Sequence, residues 1–226
     1  MKYHIDTGLI YQKFNEDCLC PLCEIKKIIE EQLLHEFLND AVMEDNTRIE
    51  VGKKGFCVNH FDMLFCRPNK LSLALQVGTF ADKTLKDLIS PAKSAGSAKK
   101  IADSIENATK NCVICELLEE SMVKYYKTIA RMFANEKDFY KILFSSKGFC
   151  MHHYAELLRY SSQAGGFSKQ YLSVLSKVQL TSFERECETL DEFAKSHDYR
   201  NALKPLGDSE KALAEARVRL YGEKHE

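Results

Sequence analysis

The residues of this chain that can do chemistry concentrate in four short motifs. Cys20-Pro21-Leu22-Cys23 and Cys112-Val113-Ile114-Cys115 are C-x2-C pairs; Cys57-Val58-Asn59-His60 and Cys150-Met151-His152-His153 are C-x2-H pairs. Each half therefore supplies three cysteines and one histidine in the same order: Cys20, Cys23, Cys57 and His60, then Cys112, Cys115, Cys150 and His153. Three thiolates and one imidazole are a common complement for tetrahedral Zn²⁺. Iron–sulfur clusters also use cysteine sets, at times with histidine, and stand as the alternative. A lone C-x2-C is as readily a pair of small buried side chains, but four motifs in two matching sets argue for metal. The gaps between ligand pairs, 33 residues in the first half and 34 in the second, suit a helical hairpin that returns one motif beside another. That spacing is compatible both with each half closing its own site and with ligands exchanged between halves.

All four pairs read as helix starts. Pro21 suits a first helical turn, and Gly55 and Gly148 give a tight entry to the C-x2-H motifs. At such a start, residues i and i+3 face the same way. The free N–H groups and positive dipole end there stabilise an anionic metal–thiolate cluster. Phe56 and Phe149 follow the glycines and are expected to seal one side from water. Glu24 and Glu116 stand where a c-type haem motif needs histidine.

Other residues of the right type fall outside the pattern. Cys18 has Lys110 as its counterpart and reads as a bystander, with a spare ligand or a redox thiol as alternatives. Cys66 and Cys187 read as cysteines packed on helix faces. His152 aligns with Asn59, so His153 is the equivalent of His60. His35 reads as a surface histidine, and His4, His197 and His225 offer no constellation. Glu30, Glu31, Glu119 and Glu120 read as a solvated acidic helix face, since no Glu-x-x-His accompanies them.

The elements that must hold these motifs are helical. Ile25, Ile28, Ile29, Leu33, Phe37, Leu38 and Val42 recur at helical spacing over 24–43, as do Leu118, Met122, Tyr125, Tyr126, Ile129 and Phe133 over 116–134. Shorter helices are expected at 58–66 and 151–160. A turn at Arg67-Pro68-Asn69 precedes a helix over 71–89 that Ser90-Pro91 ends, and Gly165-Gly166 precedes one over 168–196. A last helix over 208–221 has Asp208 or Ser209 as its N-cap and Gly222 at its end. CPLCE recurs as CVICE at an offset of 92, and KGFCVNHF recurs as KGFCMHHY at 93. The expected fold is all-α: two pseudo-symmetric helical repeats, each organised around a Cys3His metal site, plus a C-terminal helical extension. The division reads 1–90 for the first repeat, 91–111 for a small, polar connection, 112–181 for the second repeat and 182–226 for an extension packing on both.

Composition narrows the function. The 226 residues carry 32 Lys+Arg against 33 Asp+Glu, for a net charge of −1, with 45% hydrophobic residues, 9 Cys and no Trp. The apolar content excludes disorder, and the near-zero charge disfavours nucleic acid as a partner. The lysines of 83–110 are interrupted by Asp82, Asp87, Asp103 and Glu106 and read as ordinary mixed surface. No apolar run approaches a membrane span, and the first residues lack the apolar core of a signal peptide. The expected location is the cytoplasm, whose reducing conditions argue against a disulfide framework. No G-x-S-x-G, P-loop or G-x-G-x-x-G is present, so enzyme status stays open, and the partner is expected to be a protein or a small molecule.

CPLCE, KGFCVNH, their recurrence and the stretch HDYRNALKPLGDSEKALAEARVRLYG together resemble a family of uncharacterised prokaryotic proteins. Its members carry a CP-x-C motif followed by GFC-x-x-H, both duplicated. The resemblance covers most of the chain and implies a prokaryotic source but no reaction. The functional expectation is a zinc-binding helical protein with two structural or interaction-presenting sites; the alternative is an iron–sulfur or labile-metal protein in redox or metal handling. Four ligands per site favour the structural reading, since catalytic zinc keeps a position for water.

Overall fold

A computed structural model describes residues 5, 7–39, 41–87, 93–196 and 211–223. Among these residues there are eleven α-helices, two 3₁₀ segments and no strand. Helix α1 spans Thr7–Asn15, α2 Pro21–Leu38, α3 Asp45–Lys54, α4 Val58–Phe65, α5 Lys70–Asp87 and α6 Ala95–Lys110. Then follow α7 Val113–Asn135, α8 Phe139–Ser145, α9 Met151–Arg159, α10 Ser168–Ser196 and α11 Ala212–Tyr221, with 3₁₀ turns at Ala41–Met43 and Ser161–Phe167. None of these helices is long and apolar enough to cross a membrane.

The chain divides into two compact units. One comprises Met1–Lys27 and Met122–His225, the other Ile28–Ser121 with Glu226. In the first, α10 packs on α8, α9 and α11, and α1 packs on α8. Its core contains Ile10, Phe14, Leu22, Ile25, Ile129, Phe139, Phe149, Leu157, Tyr171 and Leu175. In the second, α5 packs on α3 and α4 around Leu34, Phe37, Val51, Leu64, Leu73 and Ile114. Two helices start in one unit and continue in the other: α2 from Ile28 and α7 from Met122.

The strongly patterned helices lie where the sequence puts them, within a few residues. The segment 91–111, expected as a connection, is helical from Ala95 to Lys110. Ser94 caps α6, its side chain accepting from the Ser97 N–H while Ser97 Oγ accepts from the Ser94 N–H. No α6 residue is buried, so no apolar stripe of core-helix density marks the helix in the sequence. Gly222 ends α11 with φ +84°, and its N–H donates to Val218 O at 2.8 Å. The expected caps Asp208 and Ser209, the Ser90-Pro91 break and His4, His197 and His225 lie outside the described residues.

Candidate metal centres

Each ligand pair straddles the first turn of a helix, as its sequence requires. Cys57 and Cys150 are the N-cap residues of α4 and α9, which puts His60 and His153 one turn in. Cys20 and Cys112 directly precede α2 and α7, with Cys23 and Cys115 one turn in. Gly55 and Gly148 take φ +65° and +105° ahead of the C-x2-H motifs, where a side chain would be strained. Phe149 is fully buried beside Phe14, and Phe56 is half-buried against Phe37.

The eight ligands form two groups, and the grouping is crosswise. Cys20, Cys23, Cys150 and His153 come together as site 1, in the first unit; Cys57, His60, Cys112 and Cys115 form site 2, in the second. The first C-x2-C therefore meets the second C-x2-H, and the first C-x2-H meets the second C-x2-C. Helix length supplies the reason. Between Cys20 and Cys57 the chain runs along the 18-residue α2, which advances it by about 27 Å; from Cys112 the 23-residue α7 advances it by about 35 Å. Each long helix carries the chain out of the unit where its C-x2-C begins.

The ligand atoms of each group all lie within 4.8 Å of one another. In site 1, His153 Nδ1 stands 3.5, 3.4 and 3.2 Å from the sulfurs of Cys20, Cys23 and Cys150, and the Cys23 and Cys150 sulfurs are 3.7 Å apart. In site 2, His60 Nδ1 is 3.3 Å from each of Cys57, Cys112 and Cys115, with 3.8 Å between the Cys57 and Cys115 sulfurs. A tetrahedral ion with Zn–S and Zn–N bonds of ordinary length sets S···S at about 3.8 Å and S···N at about 3.6 Å. Both groups match the edges of that tetrahedron.

The sulfur and ring-nitrogen groups of each set interact strongly. In site 1, Cys150 is held far below the usual thiol range because Cys20 and Cys23 hydrogen-bond to it. Cys23 is in turn pushed up to about 12, chiefly by Cys150, and burial raises Cys20. In site 2, Cys115 and His60 hydrogen-bond to Cys112 and hold it down at about 3 against burial, while Cys112 pushes Cys115 up. Burial pulls His60 down, but Cys112 and Glu30 override it and hold it up at about 10. In each group the neighbouring thiols favour one cysteine, Cys150 or Cys112, as the thiolate, and that favoured thiolate in turn raises Cys23 or Cys115.

The surroundings differ. All four ligands of site 1 are buried, whereas Cys57 is half-buried and Cys115 exposed in site 2. The end of α11 covers site 1: the Glu223 backbone N–H donates to Cys23, and a Cβ added at Gly222 would lie 3.8 Å from Cys150 Sγ. Buried Arg219 holds this cover, its Nε donating to Glu186 at 3.2 Å and its Nη1 to Leu19 O at 3.3 Å. In site 2 the Val113 N–H donates to Gly55 O at 3.1 Å and ties the two ligand segments together. Pro21 stands at the equivalent position of the first repeat and has no N–H to give.

The outward-facing ring nitrogens differ too. His60 Nε2 donates to Glu30 Oε1 at 3.2 Å, with both side chains buried. His153 Nε2 is buried without a hydrogen-bond partner. The residue equivalent to Glu30 is Met122. The sequence reading of Glu30 as solvated surface therefore fails: it is 4% exposed. Its seven-residue spacing from Cys23 places it on the buried stripe of α2, and that spacing was the available signal.

Cys18 and His152 join neither group. Cys18 is half-buried, its thiol donating to Lys13 O at 3.6 Å, and burial pushes it up to about 11. His152 is exposed, its ring 5.3 Å from that of His153. Cys66 and Cys187 are exposed rather than packed: Cys66 caps the end of α4, and Cys187 lies on an exposed position of α10.

The chain belongs to a family of unknown function (DUF6062), whose model matches residues 1–226. No curated protein and no solved structure matches it.

Proposed function

We propose that this member of the family binds two zinc ions, one in each Cys3His group, and that the ion in site 1 is structural. The observation that carries the reading is the pair of four-ligand groups whose spacings fit a single tetrahedral ion. A multi-iron cluster places thiolates on different irons and spreads them further apart, so the short S···S and S···N distances favour a mononuclear ion over the iron–sulfur alternative. Four protein ligands leave no position for water, which favours a structural role over a catalytic one.

Site 2 supports a second reading alongside the first. Its exposed Cys115 gives chelators, exchange partners and electrophiles access to a metal-bound thiolate, so this site is the labile one. Elemental analysis of the chain purified without added metal tests the proposal. Two zinc per chain in a colourless protein is the expected result. No metal, or iron with visible charge-transfer absorption, would overturn it.

A further inference from the structure

We propose that the cleft between α8 and α10 is a binding site for a phosphate-class oxyanion, either free or carried on a small molecule. The cleft has a volume of about 190 Å³ and lies within the first unit. Its polar lining includes Lys147, Lys177, Thr181, Ser182 and Arg185. Lys177, Thr181 and Arg185 recur every fourth residue along α10 and so share one face.

Two observations point to a ligand. The first is charge. Lys147 pairs with Asp17, but among the described residues neither Lys177 nor Arg185 has a carboxylate at ion-pair distance, and the Lys177 ammonium instead sits 5.2 Å from the centre of the Phe144 ring. Two cations line the same cleft with no counter-charge among the described residues. The second is Ser182, which is 3% exposed and whose Oγ has no hydrogen-bond partner. A buried hydroxyl left unsatisfied is costly; Ser182 also lines the cleft, where an oxyanion would offer its O–H an acceptor.

The duplication shows that the cleft is specific to one repeat. At Gly148 an added Cβ would meet Ser182 Oγ at 2.5 Å, whereas at the equivalent Gly55 it would meet the Phe80 ring at 2.9 Å. The lysine equivalent to Lys147 is Lys54, which is tied to Glu50 at 3.2 Å and to Glu116. The second unit has thus put an aromatic ring where the first has a hydroxyl, while the equivalent lysines Lys54 and Lys147 are both paired with carboxylates. The size fits a phosphoryl group with a small remainder, since a water molecule accounts for about 30 Å³ of liquid volume. Phe144 and Val178 offer that remainder an apolar wall.

Calorimetric titration of the full, metal-loaded chain at low ionic strength tests the site, first with inorganic phosphate and then with phenyl phosphate, each against a chloride control of equal ionic strength. One-to-one saturable binding is expected. Arg185→Gln and Lys177→Gln should each weaken it about tenfold, the worth of one charge-assisted hydrogen bond. Ser182→Ala should weaken it less, and Lys169→Gln, outside the cleft, should leave it unchanged. Tighter binding of phenyl phosphate would identify a carried phosphate as the ligand, and equal binding a free one; both support the site. No saturable binding of either probe, or the same loss in Lys169→Gln as in Arg185→Gln, would overturn it. The three charge variants alter exposed side chains, and unchanged helicity by circular dichroism shows that they fold.

Discussion

Sites 1 and 2 use the same ligands in the same order at the same kind of helix start, yet they are different environments. Site 1 lies under a segment that the duplication does not contain. Arg219 anchors α11, and the chain beyond it supplies an N–H to Cys23. Site 2 has no such cover among the described residues, and Cys115 reaches solvent. It has instead what site 1 lacks: a buried carboxylate behind its histidine and an N–H from Val113 bridging its ligand segments. A carboxylate that fixes the outer ring nitrogen orients the imidazole and raises its basicity as a ligand. One site is secured by burial, the other by the partners of its ligands.

Ligand loss should separate the two sites most. Metal binding and folding share free energy at a buried structural site, so Cys20→Ser should lower the melting temperature by more than about 10 °C. Cys115→Ser should lower it far less. Equal shifts for both, measured by calorimetry, would erase the distinction. Next comes the cover. Arg219→Met leaves the Glu186 carboxylate buried without its partner and should cost about 3 kcal/mol in denaturant unfolding. The same variant should release zinc from site 1 to a chelator faster, with site 2 unaffected; an unchanged release rate would mean that α11 does not guard the site.

A smaller effect is expected at Glu30. Glu30→Gln should weaken zinc at site 2 by about 10- to 100-fold, the usual effect of losing such a partner, and leave site 1 as it was. Competition with a chromophoric chelator measures both, and a loss at site 1 would break the comparison. Smallest is a difference in rate. Iodoacetamide on the metal-loaded protein should modify Cys115 at least about tenfold faster than Cys20, following exposure of the thiolate. Peptide mapping reads this directly, with Cys66 and Cys187 as freely reacting internal references.

The residues that gather into the two Cys3His groups were legible in the sequence because residue type and spacing single them out. Long helices were legible for a similar reason: the apolar stripes of α2 and α7 repeat over four or more turns. Helix α6 was not, since it buries nothing and rests on its Ser94–Ser97 cap. Helices α1, α3 and α8, of ten residues or fewer, give too few turns for periodicity to stand out, whereas the equally short α4 and α9 are marked by the C-x2-H motifs at their starts. How the ligands pair was beyond the motifs themselves, because it depends on where an 18- or 23-residue helix delivers the chain. Glu30 shows a subtler loss. Its type says surface, its position on the α2 stripe says core, and its partner His60 lies thirty residues away.

Crosswise pairing is the central claim, and zinc counting in two double variants tests it most directly. Cys20→Ser/Cys150→Ser damages a single site if ligands pair across the repeats and should retain one tightly held zinc per chain. Cys20→Ser/Cys57→Ser then damages both and should retain none. The reverse result, one zinc in the second variant and none in the first, would show that each repeat closes its own site and would contradict the account.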